Sequence, residues 1–128
     1  MTNQPVSPAD ARAIEEVLNR VAYLLDTHEY DRLGEVFAPE ISFDNPGRLT
    51  ADGLDAVIAS FKAIATPAVS HHITNVVVVG AGEDTAECQS KALALRAEGK
   101  VTAAIYRDTV TRTDAGWRVS ARRISPLG

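Results

Sequence analysis

The chain has 128 residues, enough for one domain with a sizeable core, and a formal net charge of −4. This acidic balance argues against a nucleic-acid partner, which needs a concentrated basic face. A lone cysteine, Cys88, rules out an internal disulfide and indicates a cytoplasmic location. No apolar run reaches the roughly 20 residues of a membrane helix, so no membrane partner is expected. No linker or repeat divides the sequence, and residues 1–128 are therefore predicted to form a single domain.

A first helix is predicted to follow a loose arm over residues 1–6. Ser7 can cap its free N–H groups, and Pro8 suits its first turn. Apolar residues then recur at helical spacing and form one stripe: Ile14, Val17, Leu18, Val21, Leu24 and Leu25. Asp26 lies at the edge of that stripe, so it is the one acid of this helix expected to face the rim of the core.

A short second helix is predicted around residues 30–38, where Pro39 stops it. Residues 41–44 alternate like a short strand. A third helix is predicted to follow, with Thr50 or Asp52 as its cap.

Four strands are predicted in the second half of the chain, over residues 69–79, 85–97, 101–112 and 117–124. Short connections that contain glycine join them, which indicates an antiparallel meander. Helices followed by strands predict an α+β domain in which helices pack on one face of a bent sheet.

Residues 76–79 are four valines in a row. A strand covered on one face only should alternate apolar and polar residues. Both faces of this strand are therefore expected to be covered, and the helices can cover only one of them. The sequence predicts a homodimer through the outer face of the sheet. The alternative is a strand in mid-sheet that carries additional valines.

Three segments in the same order resemble segments of the NTF2-like superfamily, in particular its SnoaL-like branch. They are residues 25–33 with 36–38, residues 70–75, and residues 105–108 with 114–119 and Arg122. The resemblance implies a cone-shaped barrel, in which a curved antiparallel sheet wraps on N-terminal helices, as in scytalone dehydratase-like and ketosteroid isomerase-like proteins. It also implies a dimer and a pocket between helices and sheet.

Asp26 and His72 match two positions of the scytalone dehydratase-like acid–base site, an aspartate late in the first helix and a histidine on the first long strand. A carboxylate and an imidazole that face one apolar pocket could exchange protons with a bound organic molecule. They are the candidate catalytic residues. The candidate substrate-binding residues are Asn45, Arg96, Tyr106 and Asp108.

Structural alternatives stay open for these residues. Asp26 could cap the second helix, and His72 could be a buried histidine bonded to a backbone carbonyl. His71 alternates to the opposite face from His72, towards a dimer partner or solvent.

The basic residues of the last strand are expected on a solvated face: Arg118, Arg122 and Arg123. A pair between Asp108 and either Arg122 or Arg96 would be structural rather than catalytic.

The sequence predicts a cofactor-independent acid–base enzyme of the dehydratase, isomerase or cyclase type, acting on a small apolar or aromatic molecule. Asn45 and Tyr106 would position oxygen atoms of that ligand. Ligand-spaced histidines and a phosphate-binding loop are absent from the sequence, so no metal or cofactor is expected. The alternative is a non-catalytic small-molecule-binding or dimeric interaction domain. Departures from the dehydratase set favour it, such as Ala104 where that set has a serine.

Overall fold

A six-stranded sheet and three helical segments make up the computed structural model, which describes residues 5–128. The predicted loose arm over residues 1–6 lies mainly outside these residues. The elements are α1 (Pro8–Asp26), a 3₁₀ helix (Tyr30–Glu35), β1 (Phe37–Asn45), β2 (Leu49–Asp52), α2 (Leu54–Lys62), β3 (Ser70–Gly80), β4 (Thr85–Leu95), β5 (Val101–Thr113) and β6 (Gly116–Leu127).

The strands form one curved sheet in the order β2-β1-β6-β5-β4-β3. The last four strands are the predicted antiparallel meander. In contrast, β1 lies parallel to β6 and joins the short hairpin strand β2 to the meander. The α+β class with helices on a curved sheet is confirmed, and the sheet is not closed into a complete barrel.

Helix α1 packs against β3 and β6 with the predicted apolar stripe. It begins as predicted, because the Ser7 side chain accepts a hydrogen bond from the backbone N–H of Asp10. Its buried residues are Ile14, Leu18, Val21, Ala22, Leu24 and Leu25. Asp26 is the last residue of the helix, and the packing of α1 on β3 brings it to the beginning of that strand.

The predicted second helix is wrong in its length and its end. The segment is a 3₁₀ helix that ends at Glu35, and Pro39 lies inside β1 instead of stopping a helix. The pairing of β1 with β6 is irregular between Phe37 and Ser42, so the missing N–H of a proline is tolerated there.

The predicted cap of the third helix is also wrong. Helix α2 begins after Gly53 without a side-chain cap. Thr50 and Asp52 belong to β2, which pairs with β1. The Thr50 hydroxyl donates to Asp44 Oδ1 at 3.1 Å, so its side chain supports the hairpin and not a helix.

A β-bulge in β3 decides which of its side chains face inward. Asn75 has a φ of 54° and lies where the pairing of β3 with β4 shifts register. One extra residue reverses the alternation of a strand. Val76 and Val78 therefore pack on the core after the bulge, whereas His71 and Ile73 face inward before it.

A second bulge has the same effect in β6. The pairing with β5 shifts between Val119 and Ala121, which leaves Ser120 as the extra residue. Val119 is buried before the bulge, and Arg122 is buried after it. The expectation that Arg122 lies on a solvated face is therefore wrong, because the bulge turns its side chain towards the inner face of the sheet.

The bulge at Asn75 can be tested by substitution. Asn75→Val is expected to lower the free energy of unfolding by about 1–2 kcal/mol, because a β-branched residue is strained in the left-handed region. Asn75→Gly removes the same side chain without that strain and is expected to retain wild-type stability. Urea denaturation of the three proteins makes the comparison. Equal stability of the valine and glycine variants would contradict the proposed role of the backbone conformation.

Candidate functional site

A cavity of about 400 Å³ lies between the inner face of the sheet and the helices. Side chains from α1, the 3₁₀ helix, the β1–β2 hairpin, α2 and the four long strands contribute to its wall. Most of the wall is apolar, and Phe43 and Phe61 meet there edge to face with ring centroids 5.3 Å apart. Its polar members include Tyr30, Asn45, Arg48, His71, Arg96 and Tyr106.

Asp26 holds His71 by two hydrogen bonds. Asp26 Oδ1 lies 2.7 Å from His71 Nδ1, and Asp26 Oδ2 accepts the backbone N–H of His71 at 2.9 Å. The side chain of His71 is 20% exposed and that of Asp26 is 18% exposed, so water screens the pair only in part. A carboxylate only accepts hydrogen bonds, so the ring proton belongs on Nδ1 and Nε2 is the basic nitrogen. His71 lines the cavity, and Asp26 lies behind it.

The structure reverses the predicted positions of the two adjacent histidines. His72 is exposed on the outer face of the sheet, where its Nε2 lies 3.0 Å from Ser70 Oγ. The placement of His72 in the pocket wall is therefore wrong, as is its alternative as a buried histidine. His71, expected at a dimer partner or solvent, occupies the pocket wall. In a regular strand His72 would face the same side as the inward Val76, because alternate side chains share a face. The bulge at Asn75 adds one residue, so His71 faces inward instead.

Asp26 itself is not a helix cap. The 3₁₀ helix that follows has no side-chain cap, and both carboxylate oxygens of Asp26 bind His71. Asp26 lies at the rim of the core, as the helical spacing of α1 indicated, and from there it reaches β3.

Three of the four candidate substrate-binding residues line the cavity: Asn45, Arg96 and Tyr106. Asp108 is the exception, because it is buried beneath the wall and binds Arg122 through two hydrogen bonds of 2.7 and 3.0 Å. This is the structural pair that the sequence left as an alternative. The placement of Asp108 among the substrate-binding residues is therefore wrong.

Arg122 links this buried pair to the cavity. It lines the cavity, and its guanidinium carbon lies 4.6 Å from the centre of the Tyr106 ring. Burial acts to lower the pKa of Arg122, but the charge and hydrogen bonds of Asp108 more than offset burial, so the pKa is raised. Arg122 therefore stays charged in the cavity wall, with Asp108 as its counter-ion.

Tyr30, Arg48 and Arg122 are polar wall residues that the sequence reasoning missed. Tyr30 stacks on Phe61 with centroids 6.1 Å apart, and burial together with the charge of Asp26 raises its pKa. Burial likewise raises the pKa of Tyr106. Both phenols are thus protonated donors at neutral pH. Tyr30 belongs to the segment matched to the superfamily, which was a usable signal, whereas Arg48 lies in a turn without any such pattern.

Metal and thiol chemistry have no visible basis in the described structure. Residues 5–128 contain no group of three or more histidine, cysteine or acidic side chains placed to hold a metal ion. Cys88 is buried, and burial raises the pKa of its thiol to about 12, so a reactive thiolate is not formed at neutral pH. Over the same residues, no helix combines the length and apolar character that crossing a membrane requires.

Comparison with known proteins identifies the family of the chain. The chain is similar in fold to a candidate scytalone dehydratase from Novosphingobium aromaticivorans, with 24% identity, a TM-score of 0.82, and coverage of 94% of this chain and 85% of that chain. It is similar to an NTF2-like protein with a cystatin-like fold from the same organism, with 24% identity, a TM-score of 0.80, and coverage of 93% and 82%. For LinA the identity is 19%, the TM-score 0.81, and the coverage 94% and 87%. A comparison with curated proteins finds no match. The SnoaL-like domain model matches residues 7–123, so the chain belongs to the SnoaL-like family.

Proposed function

We propose that the protein is a cofactor-independent acid–base enzyme of the dehydratase, isomerase or cyclase type, acting on a small and mostly apolar molecule in the cavity. The observation that carries the proposal is the Asp26–His71 pair. One hydrogen bond from Asp26 holds the imidazole at Nδ1, and a second holds the His71 backbone. The assigned tautomer leaves Nε2 basic beside a mostly apolar cavity. The fold shared with a candidate scytalone dehydratase is consistent with this chemistry.

His71 is the proton carrier in the proposed reaction. Its Nε2 accepts a proton from a carbon of the substrate, and Asp26 stabilises the imidazolium that forms. Negative charge then develops on a substrate oxygen, where the Tyr30 and Tyr106 hydroxyls and the Asn45 amide can donate hydrogen bonds. The imidazolium finally returns its proton, to a leaving hydroxyl in a dehydration or to another carbon in an isomerisation.

The second candidate function is non-catalytic binding of a small molecule. Ala92, Ala94 and Ala104 favour it, because these three wall positions of β4 and β5 present no polar group to a ligand. In that case the Asp26–His71 pair would only join α1 to β3.

Solvent proton exchange tests the two functions against each other. Small aromatic ketones and hydroxy compounds are incubated with the protein in deuterated water, and deuterium incorporation is followed by proton NMR. His71→Asn is expected to abolish incorporation, whereas the adjacent His72→Asn serves as a matched control and is expected to retain it. Deuterium incorporation retained in His71→Asn would contradict the enzyme proposal. The absence of exchange in the wild type and both variants would favour the binding function.

We also propose that the protein forms a homodimer through the outer face of the sheet. Exposed apolar side chains of β3, β4 and β5 make up an outer patch, interrupted by the polar side chains of Glu87, Gln89 and Lys91: Val77, Val79, Leu93, Leu95 and Val101. A twofold axis through such a patch would cover it with itself. A second copy of the chain is the proposed occupant, since the patch continues the valine run that helices cover only on its inner side.

Light scattering during size exclusion is expected to give twice the mass of 13.7 kDa. Val77→Lys is expected to give a monomer, because it places a charge among the apolar side chains of the proposed interface. Tyr23→Lys is the matched control, since Tyr23 is 70% exposed on α1 and away from the patch. A wild-type monomer at micromolar concentration would contradict the proposal.

A further inference from the structure

Two guanidinium groups at the cavity have no carboxylate partner. Arg48 lies in the turn between β1 and β2, Arg96 follows β4, and both line the cavity. No aspartate or glutamate oxygen within residues 5–128 forms an ion pair with either, whereas Arg122, the third arginine of the cavity wall, is paired with Asp108. The side chain of Arg48 reaches only the backbone oxygen of Thr66, at 3.4 Å.

These two positive charges also act on each other. Burial lowers the pKa of Arg48, and the nearby charge of Arg96 lowers it further. The net charge of the chain is −4, so this local excess of positive charge is not a consequence of composition. Two like charges at one opening repel, and an anion bound between them would relieve that repulsion.

Two acids that contact residues of the cavity wall are already bonded to other partners. Asp26 is bonded twice to His71, and Asp108 is bonded twice to Arg122. Either would have to abandon a partly or wholly buried partner to reach Arg48 or Arg96. Neither of these acids neutralises Arg48 or Arg96, and a bound anion would do so.

We propose that the ligand of this cavity is an organic acid whose carboxylate binds to Arg48 and Arg96, while its apolar body packs against Phe43 and Phe61. A guanidinium presents paired donors that match a planar carboxylate. The inference deepens the proposed function, on which it rests for the cavity and the reacting group. The substrates are then small carboxylic acids, and the two arginines select them.

Two probes of equal shape test the proposal: 2-naphthoate and its neutral counterpart 2-naphthamide, titrated by calorimetry. The wild type is expected to bind the acid about tenfold or more tightly than the amide. That preference is expected to shrink as salt rises, since the arginines are partly exposed. The double variant Arg48→Gln/Arg96→Gln is expected to bind both probes about equally, and Arg48→Lys/Arg96→Lys to retain part of the preference.

Arg107→Gln is the charge-matched control, because Arg107 is exposed on β5 and is absent from the cavity wall. Equal affinity of the wild type for acid and amide, binding of neither probe, or an equal loss in Arg107→Gln would overturn the inference. His71→Asn is expected to keep the preference for the acid. Failure of His71→Asn to alter proton exchange would therefore overturn the proposed function and leave the anion site standing.

Discussion

Asp108→Ala is expected to lower the free energy of unfolding by about 3–5 kcal/mol, because it leaves a buried charge without a counter-ion. Asp108 is 1% exposed and Arg122 is 2% exposed. Both guanidinium bonds, 2.7 and 3.0 Å long, would be lost at once. Arg122 could recover solvation only by leaving the Tyr106 ring and entering the cavity, so the loss of stability should be accompanied by weaker ligand binding.

Two comparisons separate this effect from a general cost of mutation. Asp108→Leu/Arg122→Met removes both charges and is expected to be more stable than Asp108→Ala, since apolar replacement of a whole buried pair is often neutral or favourable. Asp31→Ala breaks an exposed pair with Lys62 and is expected to leave the urea midpoint unchanged. A similar midpoint for Asp108→Ala and Asp31→Ala would contradict the role assigned to the buried pair.

Local periodicity was sufficient to predict α1 and the four long strands. The stripe that ends at Leu25 predicted the buried face of α1, and glycine-containing turns marked the ends of β3 to β6. Strand β2 escaped prediction because Leu49–Asp52 is only four residues long and pairs with β1 alone. Its Thr50 and Asp52 are residue types that also begin helices, so local sequence alone favoured the wrong element.

The inward side chains of the long strands could not be predicted in the same way. Asp26 was placed correctly at the core rim because the period of a helix is not interrupted. A one-residue bulge follows His71 in β3, and another precedes Arg122 in β6. Such a bulge exchanges the inward and outward side chains on one side of it. Asn75 carried a weak signal, since asparagine tolerates the left-handed region, but Ser120 carried none. A catalytic residue assigned by strand alternation is therefore uncertain by one position until bulges are known.

Asp26→Asn is expected to lower kcat/KM of the proposed proton transfer by about 10²- to 10⁴-fold while leaving the fold almost unchanged. Asparagine has the shape of aspartate, so its oxygen can accept the backbone N–H of His71 and its amide nitrogen can donate to Nδ1. Nδ1 would then be an acceptor, and the ring proton would move to Nε2. The imidazole would keep its position beside the cavity but could no longer accept a proton from a substrate.

The tautomer can be observed directly, without a known substrate. The chain has three histidines, so nitrogen–proton correlation spectra of the rings can be assigned by single substitutions. In alkaline solution, where imidazole is neutral, His71 is expected to carry its proton on Nδ1 in the wild type and on Nε2 in Asp26→Asn. Asp26→Ala should instead release the ring and lose stability, because it leaves a backbone N–H without an acceptor. A wild-type ring protonated on Nε2 would mean that Asp26 does not prepare a base, and the cavity would then be a binding site without proton chemistry at His71.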